Sequence, residues 1–226
     1  MIKLVGVLGI KGAGKDTAAG FLVKNLGFVH TSFAAALYKE VADAYGVTVE
    51  FLSNRETKET PLDELCLFKC KDLNFVLIAL AHLIKGGCRD LYKEMDSPRS
   101  PRWTLQLWGT EYRRRSEHGY DSYWLDKVSS LIKINPEKRF VITDVRFTNE
   151  ADWVEREGGT LIRVSRPVLE EREALARKAG TLTALHPSET ELMQRVVPYT
   201  LLNQEGKPES LISGLKQIFP DLDKAA

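Results

Sequence analysis

The sequence predicts a three-layer α/β domain, a parallel sheet covered by helices on both faces. Three observations carry that expectation: short, almost wholly apolar strand-like runs, helical patterns lying between them, and a glycine-rich turn joining the first run directly to the first helix. Taken in order, Ile2 to Leu8 reads as a buried strand and Gly9 to Gly14 as the turn. A helix from Lys15 to about Leu26 follows, with Ala18, Ala19, Leu22 and Val23 on its apolar face. Phe28 to Thr31 is a short strand and Phe33 to Ala44 a helix, and Gly46 to Arg99 reads as mostly helical with charged edges. Within that region Leu73 to Ile84 is strongly apolar despite Asn74 and His82; at about 12 residues it is too short to span a bilayer and is expected to be a buried core helix. Pro101 opens a helix in which Trp103, Leu107 and Trp108 recur at helical spacing, and Asp121 to Ile132 is an amphipathic helix. Three further strands are expected at Phe140–Thr143, Leu161–Val164 and Tyr199–Leu202. Between the first two lies helix Glu150 to Glu157, ended by Gly158-Gly159, and Lys207 to Phe219 forms the last helix.

A chain of 226 residues fits one large domain that buries about 70% of its unfolded surface, so its core needs no disulfides. With 32 Lys+Arg against 31 Asp+Glu the net charge is +1, and 28% charged with 43% hydrophobic residues excludes intrinsic disorder. The charge balance also argues against nucleic acid or an anionic membrane as a partner, so any basic site is local. Cys66, Cys70 and Cys88 have neither zinc-like nor redox-like spacing and read as reduced thiols of a cytoplasmic protein. Met1-Ile2-Lys3 runs straight into a strand pattern rather than into a signal peptide.

The strongest motif is Gly9-Ile10-Lys11-Gly12-Ala13-Gly14-Lys15-Asp16-Thr17, of the form Gly-x4-Gly-Lys. A triphosphate chain needs several donors at once. Glycines let consecutive backbone N–H groups curl inward, the helix N-terminus adds its dipole, and Lys15 is placed to reach the β- and γ-phosphates. The residue after that lysine is usually Ser or Thr; here it is Asp16. Its carboxylate either meets a metal, directly or through water, or serves only to favour the helix N-terminus.

From Ser97 to Arg115 there are five arginines and one acid, Glu111. On a helix starting near Pro101, Arg102, Gln106 and Thr110 fall about one turn apart on one stripe, with Arg113 and Arg114 continuing onto adjacent faces. Guanidinium, amide and hydroxyl together suit a phosphorylated ligand with a base to read, although a basic helix end alone accounts for Arg113 to Arg115. Asp144 and Arg146 follow a predicted strand, at the end where open α/β sheets bind ligands; they either hold Mg²⁺ and a phosphate or pair to fix the loop. Arg163 to Lys178, with Arg166, Arg172 and Arg177, reads equally as a lid closing on a phosphoryl group or as a solvated helix. Ser188 and Glu191 have capping-box spacing, which leaves His186 without an account.

Four segments together resemble the deoxynucleoside monophosphate kinases of tailed phages. They are the loop ending Gly-Lys-Asp-Thr; Arg102-x3-Gln106-x2-Gly109-Thr110-Glu111-x2-Arg114; Asp144-Val145-Arg146-Phe147-x-Asn149-Glu150-Ala151; and His186-x-Ser188-Glu189. They span about residues 2 to 219 in the family's order, and the Asp16 variant fits this group and its phosphomevalonate kinase relatives. The resemblance implies a P-loop kinase fold with a five-stranded parallel sheet in a single domain over 1–226, with a helical acceptor-binding insertion over approximately 46–135 and a lid over approximately 166–187. It implies transfer of the ATP γ-phosphoryl to a dNMP, Mg²⁺ as cofactor and, on resemblance alone, a homodimer. ATP would be held by Lys11, Gly12, Ala13, Gly14, Lys15, Asp16 and Thr17, and the metal by Asp16 and Asp144. The acceptor would meet Arg102, Gln106, Thr110, Glu111, Arg114, Asp144, Arg146 and His186, while Lys15, Arg146, Arg166 and Arg172 would act on the transferring group. Phe33 to Lys39 matches a segment that often carries Asp-Pro where this chain has alanines, so an acceptor contact from that aspartate is missing. Dephospho-CoA and phosphomevalonate kinases share the cradle with other acceptors, and a nucleotide-sensing P-loop protein would share it without one.

Overall fold

Five short strands pair in parallel in the order β2-β3-β1-β4-β5, where β1 is Leu4–Leu8, β2 Phe28–Thr31, β3 Arg139–Ile142, β4 Thr160–Ser165 and β5 Tyr199–Leu202. This is a computed structural model, and it describes residues 2–115, 121–179, 191–205 and 207–220. The central strand β1 is buried at all five positions, which is why it reads as an unbroken apolar run. Its register sets Val5 beside Val141 on β3 and Gly6 beside Leu161 on β4.

The two faces of the sheet are packed by different elements. On one, Val5, Val7, Val141, Ile162 and Val164 meet α1 (Lys15–Leu26) through Ala18, Ala19 and Leu22, and α10 (Pro208–Ile218) through Leu211 and Leu215. On the other, α8 (Thr148–Arg156) packs so closely that a Cβ added at Gly6 would lie 2.8 Å from Leu161 Cδ2 and 3.2 Å from Val154 Cγ2. Because β1 leads to β2 and β3 leads to β4, the chain leaves these adjacent strands over opposite faces. The loops after β1 and β3 therefore meet at a switch point at the carboxyl edge of the sheet.

The chain divides into two compact units, Met1–Phe33 with Val128–Ala226, and Ala34–Lys127. The first holds the sheet. The second is helical, containing most of α2 (Phe33–Tyr45), α3 (Val49–Ser53), α4 (Leu73–Lys85), α5 (Leu91–Asp96), α6 (Pro101–Gln106) and the first residues of α7 (Tyr123–Lys133). Helix α9 (Pro167–Lys178) belongs to the sheet unit.

Residues 46–99 are mostly helical as expected, with a turn over 55–59. One expectation for the helical unit is corrected. Helix α4 is not a fully buried core helix: Phe75, Val76 and Ala79 are buried, but Leu73 and Leu77 are 73% and 64% exposed and Ile84 is exposed as well. It is covered on the stripe where Phe75 packs on Trp108, ring centroids 4.5 Å apart; hydrophobic content alone could not tell a one-sided helix from an enclosed one. Among the described residues no helix is long and apolar enough to cross a membrane.

Candidate active site

The loop after β1 curls as its glycines allow. Gly9 has φ 144° and an added Cβ would sit 2.4 Å from Val164 O; Gly14 has φ 109°, and its added Cβ would sit 2.4 Å from Asn203 Nδ2. Gly14 is also the N-cap of α1, and having no side chain it leaves the first-turn N–H groups untouched. Lys15 Nζ arches over the loop, donating to Gly9 O (2.8 Å) and Ile10 O (2.9 Å). Burial, and then the charge of Arg146, lower the Lys15 pKa against the opposing pull of Asp16 and Asp144. A cation crowded by a second cation at a helix N-terminus is a site short of negative charge, which a polyphosphate supplies.

The loop after β3 supplies the neighbouring groups. Asp144 Oδ1 accepts from Phe33 N–H (2.8 Å), and Thr143 Oγ1 is 2.8 Å from His30 Nε2. Glu150, 3% exposed, accepts from the N–H groups of Arg146 (2.9 Å) and Phe147 (3.1 Å). It thereby fixes the backbone from which the exposed Arg146 side chain projects. That bracing role is not assigned by the sequence reading, and a glutamate three residues after the cap was its signal. Glu191 Oε1 accepts from Thr148 N–H (2.6 Å), at the start of α8.

Arg166, at the end of β4, donates to Gly12 O (3.3 Å) and pairs with Glu205 (3.0 Å), so it lies against the loop itself. Arg172 is exposed on α9, and Lys11, Gly12, Asp16 and Thr17 are exposed at the loop. His186, with Ser188 and Glu189, and the distal part of the expected lid lie outside the described residues. Among the described residues no group of three or more His, Cys, Asp or Glu side chains could cage a metal. Two carboxylates, Asp16 and Asp144, acting electrostatically on Lys15 fit Mg²⁺, which keeps waters and takes oxygens from phosphates.

Arg102, Gln106, Thr110, Glu111 and Arg114 all belong to the helical unit; the first four lie on one continuous helical run over 101–112, and Arg114 lies in the turn that follows it. Beyond Gln106 the run widens into a π-helix over Leu107–Tyr112. The N–H of Arg113 reaches Trp108 O and that of Arg115 reaches Thr110 O, five residues back. Apolar residues at 103, 107, 108 and 112 suit either winding, so the sequence did not reveal it. Arg102 pairs with Glu59, Gln106 is exposed, and Glu111 pairs with Arg115 (3.5 Å). Gly109 is where Leu37 crosses: an added Cβ would lie 3.2 Å from Leu37 Cδ2, and Trp124 Nε1 donates to Gly109 O (3.1 Å).

The π turn is tied down by a polar network absent from the sequence reading. Glu40 accepts from Tyr123 OH (2.5 Å), Trp108 Nε1 (3.1 Å) and Arg113 Nε (2.8 Å). Asp72 caps α4 and also accepts from Tyr112 OH (2.9 Å). The Arg113 guanidinium stacks 4.2 Å from the Tyr112 ring and 5.0 Å from that of Tyr123. Glu40, Asp72, Trp108, Arg113 and Tyr123 line an open cavity of about 860 Å³ wholly inside the helical unit, with Lys71 and Lys127 at its wall.

A parallel 2-3-1-4-5 sheet with a glycine-lysine loop after its first strand defines a P-loop nucleotide-binding fold. Among curated proteins, a deoxynucleotide monophosphate kinase of Acanthamoeba polyphaga mimivirus is 30% identical over 190 residues, covering 84% of this chain and 81% of its own. A deoxynucleoside-5'-monophosphate kinase of Escherichia phage T5 is 29% identical over 90% of each chain. The chain belongs to this family of deoxynucleotide monophosphate kinases. No protein-family model matches it. A solved unliganded sugar kinase from Janibacter sp. HTCC2649 aligns over 98% of both chains at 16% identity with a TM-score of 0.38, and the assignment does not rest on it.

Proposed function

We propose that this chain transfers the γ-phosphoryl of ATP to a deoxynucleoside monophosphate, giving ADP and a dNDP for DNA precursor synthesis. The observation that carries the reading is the electropositive loop of Gly9 to Thr17, with Lys15 across it, in a chain of this family. The loop N–H groups and Lys15 bind the β- and γ-phosphates. Asp16 and Asp144 would hold Mg²⁺, which when bound neutralises charge on the phosphate oxygens. A nucleoside monophosphate is largely dianionic at neutral pH, its second pKa being about 6, so its attacking oxygen is already ionised and needs no general base. The protein's work is then to position two anions and neutralise their charge. Arg102, Gln106, Thr110, Glu111, Arg114 and Arg146 bind the acceptor, its base or its phosphate, with His186 in the same role. Arg166 and Arg172 act on the transferring phosphoryl as parts of a lid; the position of Arg166 against Gly12 O supports this for Arg166.

The test is coupled ADP release from MgATP against the four dNMPs, their ribo-forms, dephospho-CoA and phosphomevalonate. Turnover is expected with one or more dNMPs, and Lys15→Ala should lower it by at least about a hundredfold with an unchanged far-UV CD spectrum. ATP binding without turnover on any acceptor would overturn the reading in favour of a nucleotide sensor.

A further inference from the structure

We infer that Asn203 is a positioning residue that holds the Gly14 N–H of the phosphate-binding loop in its anion-binding orientation. The inference rests on the reading of Gly9 to Thr17 as the polyphosphate site. Asn203 follows the last residue of β5, and its own N–H donates to Ser165 O (2.8 Å), extending the β4–β5 pairing by one rung and fixing where its side chain starts. From there Nδ2 donates to Ala13 O (2.7 Å). In a trans peptide the C=O and N–H of one unit point in opposite directions. Drawing the Ala13 carbonyl towards β5 therefore turns the Gly14 N–H away from β5, to the side where a phosphate is received.

The fit between the two residues is close on both sides. A Cβ at Gly14 would lie 2.4 Å from Asn203 Nδ2, so the amide lies flush against a position that only glycine fills at φ 109°. Arg166, the residue after β4, makes the equivalent contact one residue earlier, on Gly12 O (3.3 Å). Successive loop carbonyls are thus drawn outward by donors at the ends of adjacent strands. Arg166 spends charge on Glu205 as well, whereas Asn203 is a neutral donor whose replacement by alanine changes the brace without changing the charge near the phosphates.

Two variants separate positioning from general stabilisation. Asn203→Ala removes the donor. Asn203→Asp keeps the shape but sets a carboxylate oxygen against the Ala13 carbonyl. Calorimetric titration with MgATP and with magnesium tripolyphosphate should show about a tenfold loss of affinity for both ligands in either variant. KM for the dNMP should stay within about twofold of wild type while KM for ATP rises. Equal rises in both KM values, or tripolyphosphate affinity unchanged in a variant with native CD, would overturn the inference. If Asn203→Asp does not fold, Asn203→Ala decides. Wild-type protein that binds neither MgATP nor tripolyphosphate would instead remove the nucleotide reading, and this inference with it.

Discussion

Lys15 has fewer counter-charges than a lysine of ordinary pKa requires: burial and Arg146 disfavour its proton more than Asp16 and Asp144 favour it. In the free protein the folded chain therefore binds fewer protons here than the unfolded chain over the alkaline window below lysine's usual value. Stability contributed at this position rises with pH through that window. A bound triphosphate reverses the imbalance and draws the Lys15 pKa back up. MgATP binding in that window should accordingly take up protons, and calorimetry in buffers of different ionisation heat should give different apparent enthalpies. Lys15→Met should remove the difference. Buffer-independent enthalpies in the wild type would mean that Lys15 is already fully protonated without its ligand. The glycine-lysine spacing was readable because it is local. The braces on the loop and on Arg146 were less so: Asn203 acts on Ala13 from 190 positions away, and Glu150 looks in sequence like any polar residue in a first helical turn.

The π turn over Leu107–Tyr112 carries Thr110 and Glu111 and leads into Arg114, so whatever sets its winding sets where those groups point. Glu40, 73 positions before Arg113, is the common acceptor for Trp108, Arg113 and Tyr123. Burial alone would raise the Glu40 pKa, but the Tyr123 and Trp108 hydrogen bonds and the Arg113 charge outweigh it and hold the carboxylate below its ordinary value. A depressed carboxylate stabilises the fold above its unfolded pKa and loses that contribution as pH falls through its lowered folded value. Glu40→Gln should therefore flatten the acid limb of a thermal-melt series against pH. In kinetics it should raise KM for the dNMP about fivefold and leave KM for ATP unchanged, because the network touches only the helical unit. A matching rise in KM for ATP would refute the assignment of this turn to the acceptor. None of this was legible beforehand, since an unbroken helical period of apolar residues hides an inserted π residue and a network across three helices has no spacing to find.

Across the molecule, the sheet was the most legible part: the three inner strands, largely buried, spell themselves as apolar runs, and all five strands were found within three residues of their ends. The helical unit was less so, since apolar content marks a helix that packs without saying on how many sides. That contrast can be measured by comparing one residue from each part. Phe219, at the end of α10, is 4% exposed and meets Phe28 of β2 edge-on at 5.9 Å, so the C-terminal helix closes the same core face that α1 opens. Leu77, an apolar residue on α4, stands 64% in solvent. Phe219→Ala removes a buried ring from a packed core and should cost about 3 kcal/mol or more in denaturant unfolding. Leu77→Ala gives up little burial and should stay within about 0.5 kcal/mol of wild type. The denaturant midpoints of the two variants check this directly. A Leu77→Ala loss as large as that of Phe219→Ala would mean that the exposed stripe of α4 is covered in solution, and a small Phe219→Ala effect would detach α10 from the sheet.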